Sequence, residues 1–292
     1  MSNQVDTARS IQFGRNIDIL LQQKQTRLSQ AVTVETLEGK KGSFDRINAT
    51  AAQKRVTRHS DTPLIDTPHD RRWVFATYYE WADLIDDSDK VQLVADPTSA
   101  YVRNGAYAMN RSMDDEIITA FFATATTGED AGGTTAFPAA NQVAVNYGGS
   151  NSDITADKLK AARKILRANE VDPDEELFCA ISAEQFEALL NDDEIVNRDY
   201  TMINKLDEGE VVKFMGLNFI ASERLSTDTN AYRRVPVWAK SGMVLAKRKS
   251  VTSQVSQRAD KSYSTQVYAA MDIGAVRLEE GKVVEIKCDE TA

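Results

Sequence analysis

Residues 45–70, "DRINATAAQKRVTRHSDTPLIDTPHD", are polar, basic and punctuated by Pro63 and Pro68. Connections inside compact domains are short, with a median of about 4–6 residues, so a structureless run of this length argues against a compact domain at this point. The run is read as the tip of a projecting arm. Before it, "AVTVETLEGKKGSFDRI" alternates at Val32 and Val34, with Gly39 and Gly42 bracketing a charged turn, which predicts strand and turn. After it, "RRWVFATYYEWADLIDD" predicts one period-two strand. Trp73, Phe75, Thr77, Tyr79 and Trp81 fall on one side of it, and Val74, Ala76, Tyr78 and Glu80 on the other. A two-stranded arm is marginal alone in water, and its open edges invite pairing with another chain. The chain is therefore expected to be completed by copies of itself.

The remaining segments sharpen that expectation. Ile11, Ile17, Leu20, Leu21 and Leu28 are spaced as an amphipathic helix over 9–28, which stays ordered only if it docks on something. Asp96-Pro97 supplies a cap and a first-turn proline for a helix reaching about Thr124. Its stripe is Val102, Ala106, Met109, Met113, Ile117 and Phe121, and its length of roughly 40 Å is unusual in a globular domain. Composition turns Gly/Ala/Asn/Thr-rich over 126–153, the strongest candidate domain boundary. An α/β region follows. Thr155 caps a helix carrying Leu159, Ala162, Ile165 and Leu166, "ELFCAIS" is a buried strand, Ser182 and Gln185 form a capping box, and two strands meet near Gly216. Five short alternating runs, from "GMVLAKRKS" to "KVVEIKC", read as strands in the last third, the final two joined at Gly281.

Chemistry is scarce. Both histidines, His59 and His69, lie in the polar arm without a partner at metal-ligand spacing, and no phosphate-loop, dinucleotide or nucleophile-elbow motif occurs. The acidic groups at 86–89, 113–116, 172–176 and 191–194 sit at helix ends, turns or solvent faces and read as surface. Arg71 and Arg72 beside the aromatics suggest base stacking, but Glu80, Asp83, Asp86 and Asp87 follow and would repel phosphates. Cys179 and Cys288 lie in apolar runs, as reduced core residues of a cytosolic protein would. The N-terminus lacks a secretory pattern, and no apolar run approaches the ~18 residues of a membrane span. Neither catalytic residues, metal nor cofactor is predicted. Residues 1–72 hold 12 Lys/Arg against 8 Asp/Glu, or +4, leaving −13 for the remainder of a chain whose net charge is −9. Such halves suit contact between copies, although a solvated imbalance reads the same way.

This order of parts resembles the major capsid proteins of tailed bacteriophages, with their α+β Hong Kong 97-type capsid fold. "FGRNIDILLQQKQTRLSQ" and "TPHDRRWVFATYYEWADLIDD" carry the resemblance most specifically. It implies an N-terminal arm at 1–31, an extended loop at 32–72, a peripheral domain at 73–125 with its spine helix, an axial domain at 126–239, and a return to the peripheral domain at 240–292. It implies hexamers and pentamers of this chain around weakly held double-stranded DNA. Scaffolding and portal proteins, and possible decoration proteins, are the implied partners, no membrane is involved, and the shell forms in host cytoplasm. Phe13, Leu20, Leu21, Lys40, Lys41, Arg46, Arg55, Arg58, Arg71 and Arg72 become candidate contacts between subunits. Trp73, Phe75, Tyr79 and Trp81 become packing anchors at the loop base, so that Trp73→Ala or Trp81→Ala should give insoluble or unassembled protein. Lys40, Lys41 and Lys54 lie where some members of the fold cross-link, but no motif assigns that role here. Competing readings are an encapsulin-like nanocompartment shell and a nucleic-acid-binding protein.

Overall fold

The computed structural model describes residues 21–55, 57–58, 61–62, 64–86, 98–192 and 213–291. In chain order its strands are β1 (Thr33–Thr36), β2 (Lys41–Ile47), β3 (His69–Phe75), β4 (Thr77–Ile85), β5 (Ala125–Thr127), β6 (Gly133–Thr135), β7 (Gln142–Val143), β8 (Leu177–Ile181), β9 (Lys213–Phe214), β10 (Leu217–Ala221), β11 (Arg233–Ala239), β12 (Met243–Arg258), β13 (Ser264–Arg277) and β14 (Val283–Cys288). The helices are α1 (Thr98–Phe122), α2 (Ala156–Ala168) and α3 (Ala183–Asn191). They divide between two compact units. The smaller holds, among described residues, 21–25, 78–86, 98–112 and 249–272, and the larger holds the rest.

Two sheets of the larger unit matter here. One has six strands in the order β7-β14-β11-β8-β10-β9. β8 and β10 run parallel, from Leu217 opposite Leu177 to Ala221 opposite Ile181, so the chain must cross over between them, and α3 lies in that crossover. Ser182 opens α3 as expected, its N–H donating to Gln185 Oε1 at 2.9 Å. Thr155 caps α2, and Leu159, Ala162 and Leu166 bury one face while Lys160, Lys164 and Arg167 stay in water. Met215 and Gly216, at φ of 51° and 80°, close the β9–β10 hairpin, a left-handed pair matched to strand twist. β11 was not foreseen. Pro236 within it masks a central strand, because proline normally marks an edge, yet Val235, Val237 and Trp238 are wholly buried.

The second sheet is antiparallel in the order β2-β3-β5-β6. β2 and β3 pair from Lys41 opposite Phe75 out to Ile47 opposite His69, so the irregular arm tip is shorter at both ends than the 45–70 read from sequence. Leu37, Val74, Ala125, Ala246 and Val276 form the core beneath, with Phe44, Ala76 and Leu278 against it. β1 lies parallel to the start of β12, from Thr33 opposite Val244 to Thr36 opposite Lys247. The 126–153 stretch, read from composition as a domain boundary, carries β6, β7 and most of β5. Short polar strands of two or three residues lack the alternation that would have exposed them.

Three further expectations change. The aromatic run is two strands, β3 and β4, interrupted at Ala76. Beside the break, a Cβ on Gly274 would lie 2.1 Å from the Phe75 carbonyl oxygen, so only glycine permits that approach. Second, the five C-terminal runs are three strands: β12 and β13 each fuse two of them, at 16 and 14 residues. Third, the predicted helix 9–28 is not helical over 21–28, and residues 9–20 lie outside the described ones.

In the smaller unit, β12, β13 and β4 are neighbours in that order. Residues 21–25 run along α1 through polar contacts. Gln22 donates to Asn104 at 2.9 Å, Arg111 to Gln22 at 2.5 Å, and Asn110 to the Lys24 carbonyl at 3.0 Å. These contacts tie down an extended segment where a helix would have presented Leu21, which is fully exposed. Gly105 of α1 faces Trp81, whose ring a Cβ there would meet at 2.7 Å. In the larger unit, Met113, Ile117 and Phe121 of α1 are buried as expected.

Candidate functional site

The β2–β3 arm leaves the larger unit at a cluster of charge. Arg72 is wholly buried, and its guanidinium donates to Glu280 Oε1 at 2.5 Å. Arg277, also wholly buried, approaches the same oxygen at 3.9 Å. It donates to the carbonyls of Phe121 and Ala123 at 2.6 and 3.1 Å, and lies over the Phe137 ring at 5.1 Å. Arg46 completes the group, donating to Asp70 and to the Leu278 carbonyl, with Glu280 Oε2 3.6 Å away. Three guanidiniums thus share two carboxylates.

Burial and charge compete across this cluster. Burial pushes the Arg277 guanidinium down to about 10, opposed by Glu280 and assisted by Arg72. Arg72 is lowered by burial, with Glu280 pulling the other way. Burial pushes the Asp70 carboxyl up, but hydrogen bonds from Arg46 and the Arg71 N–H more than offset it, so it sits below its ordinary value. Arg72 Nε and Nη1 and Arg277 Nη2 are buried without an acceptor among the described residues. Buried ion pairs are costly to break because the survivor keeps an uncompensated charge. The joint is held by electrostatics that tolerate no missing member.

The outer face of the joint is wetter. Arg71 grips Asp45 with two hydrogen bonds at 2.5 and 3.2 Å, which lowers the Asp45 carboxyl. Lys41 Nζ sits 4.2 Å from the centre of the Trp73 ring, and Trp73 Nε1 donates to the Gly128 carbonyl at 2.7 Å. Asp45, His69, Asp70, Arg71, Gly128 and Glu129 line a cleft of about 400 Å³ beside it. No set of three or more His, Cys, Asp or Glu side chains gathers as a metal site among the described residues.

The residues singled out from sequence meet different fates. Lys41, Arg46, Arg71, Arg72 and Trp73 converge on the joint. Arg72 is a correction: it is spent on the chain's own packing, with no surface left for a neighbour. The buried face of β3 is Arg72 and Val74, with Trp73 half-buried and Phe75 49% exposed, so the expected anchoring face is the outer one. The neighbours that bury Val74 come from β5, β12 and β13, and nothing local announces them. Tyr79 and Trp81 are half-buried and belong to the smaller unit. Lys40, Arg55 and Arg58 are exposed, and Phe13 and Leu20 lie outside the described residues. Sequence reasoning missed Glu280 and Arg277. Glu280 stands 208 positions from Arg72, without a motif to join them.

Comparison with known proteins places this architecture. The profile of the family described as "Phage capsid protein" matches residues 5–290. Among solved structures, the capsid of cyanophage P-SCSP1u superposes with a TM-score of 0.76 at 17% identity, covering 99% of this chain and 95% of that one. A structure of Mycobacterium phage Che8 gives 0.72 at 17% identity, covering 97% and 98%. The acidic stable capsid of Helicobacter pylori bacteriophage KHP30 gives 0.74 at 10% identity, covering 99% and 98%. No curated protein matches. At these identities the superpositions establish the shared capsid fold, and the profile, which spans nearly the whole sequence, establishes descent: the chain belongs to the phage capsid protein family.

Proposed function

We propose that this capsid protein is the major shell subunit of a tailed-phage head, assembling as hexamers and pentamers around double-stranded DNA. The observation that carries the reading is the uncovered arm. Ile47, Leu64 and Ile65 are 68%, 96% and 41% exposed at or near its tip, an apolar group that a neighbouring copy would cover. The role is structural. Residues 1–31, 32–72, 73–125, 126–239 and 240–292 act as N-terminal arm, extended loop, first peripheral segment, axial domain and second peripheral segment. Lys40, Lys41, Arg55, Arg58 and Arg71 serve as contacts to neighbours. A net charge of −9 keeps the wall from binding packaged DNA tightly. Scaffolding and portal proteins guide assembly in the host cytoplasm. Negative-stain microscopy of the expressed full chain, alone and with a source lysate, tests this. Closed shells or capsomers are expected, and a monodisperse single-copy protein at high concentration in both samples would overturn it.

A further inference from the structure

Among the described residues, the three strands of the smaller unit present two open edges. β1 stops at Thr36, opposite Lys247, so beyond that point β12 has β13 on one side and, among the described residues, no strand on the other. β4 stands at the other end of the same order. Open edges in natural proteins are blunted by charge, proline or a bulge. Ser250–Gln257, "SVTSQVSQ", contains neither charged residue, proline nor glycine, and nearly all of it is exposed.

Charge says what each edge would accept. From Lys247 to Lys261 there are five cations, Lys247, Arg248, Lys249, Arg258 and Lys261, against Asp260 alone. β4 and the residue following it carry Glu80, Asp83 and Asp86 and no cation. Either edge placed against its own copy would set like charges together, whereas β12 against β4 sets opposite charges together. The lengths agree, since β4 has nine residues and the open part of β12 spans a similar ~30 Å. Each edge also offers exposed apolar side chains for cross-strand contact, Val255 at 49% on one and Tyr78 and Leu84 at 47% and 44% on the other.

We propose that the outer edge of β12 takes the outer edge of β4 from a second copy, so that the sheet continues from subunit to subunit. The contact is head-to-tail, the kind that closes into rings. It rests on the shell reading above and supplies that reading with a particular seam.

The test introduces Ala82→Cys on β4 and Ser253→Cys on β12, both at exposed positions. Within one subunit β13 separates these strands, so the two positions lie at least about 9.5 Å apart, too far for a disulfide. The native Cys179 and Cys288 are buried, with thiols raised by burial, and do not compete. Oxidised particles of the double variant should run as a covalent ladder up to ring size, and each single variant as monomer. Hydrogen exchange on the unsubstituted chain should show Ser250–Gln257 protected about a hundredfold more in particles than in free subunits, which keeps the proposal testable if a cysteine variant fails to assemble. Dimers from Ser253→Cys alone would mean the edge meets itself. Slow exchange already in free subunits would mean the chain covers its own edge, and protection in particles without the ladder would mean another occupant. Each of these results, like particles without protection, overturns the pairing while leaving the shell reading intact. Absence of any particle overturns both.

Discussion

Removing the Glu280 carboxylate would leave the guanidiniums of Arg72 and Arg277 shut away from water without their shared counter-charge. Loss of one partner from a buried pair costs about 3–5 kcal/mol, so Glu280→Gln should lower the stability of the free subunit by that order in urea unfolding. Asp45→Asn, at the exposed Arg71 pair, should change it little. Acid should act through carboxylates that the fold holds below their ordinary range. Glu290 is held below its ordinary 4.5, chiefly by hydrogen bonds from Arg233 at 2.8 and 3.0 Å. A carboxylate with a depressed folded pKa contributes stability above its unfolded value and loses it as pH falls through the folded one. The melting temperature should therefore drop as pH falls below 4.5, and Glu290→Gln should flatten that acid limb. Little of this was legible in the sequence. The aromatic run drew attention to the right strand, but with Val74 and Ala76 as apolar as their neighbours, alternation could not choose its buried face.

Elements whose signal is local were readable. The Ser182–Gln185 box, the Thr155 cap, the turn at Gly216 and the Met113–Phe121 stripe each follow from residues within a turn or two of one another. Elements whose identity depends on distant partners were not. β11 is central because β8 and β14 flank it, despite Pro236. β12 and β13 are long because no proline or turn interrupts them, the middle of β12 being polar and exposed and that of β13 apolar and buried. Gly274 lies within β13, and it marks a close approach. Gly274→Ala would drive a methyl group into the Phe75 carbonyl, and since a backbone atom cannot step aside, a loss of about 3 kcal/mol is expected in thermal unfolding of the subunit. Gly105→Val should displace the Trp81 ring, read as altered near-ultraviolet circular dichroism and tryptophan emission.

For the molecule, the decisive feature is the irregular stretch between β2 and β3. Ile47 and His69 are opposite one another, so replacing residues 48–68 by Asn-Gly closes the hairpin with a two-residue turn. The shortened chain should keep the circular dichroism and melting temperature of the full subunit while yielding no shells by electron microscopy. That outcome would separate what folds the subunit from what joins subunits. The sequence revealed this division through a polar, proline-marked run too long to sit inside a compact body, and the order of segments around it pointed to the family.

Because Arg72 and Arg277 are wholly buried where they meet Glu280, added salt screens that contact far less than one made in water. Seams made of surface charge have no such shelter. Molar brine should therefore slacken only the charged part of each seam while every hairpin stays seated, leaving paired strand edges and covered apolar side chains to hold neighbours together.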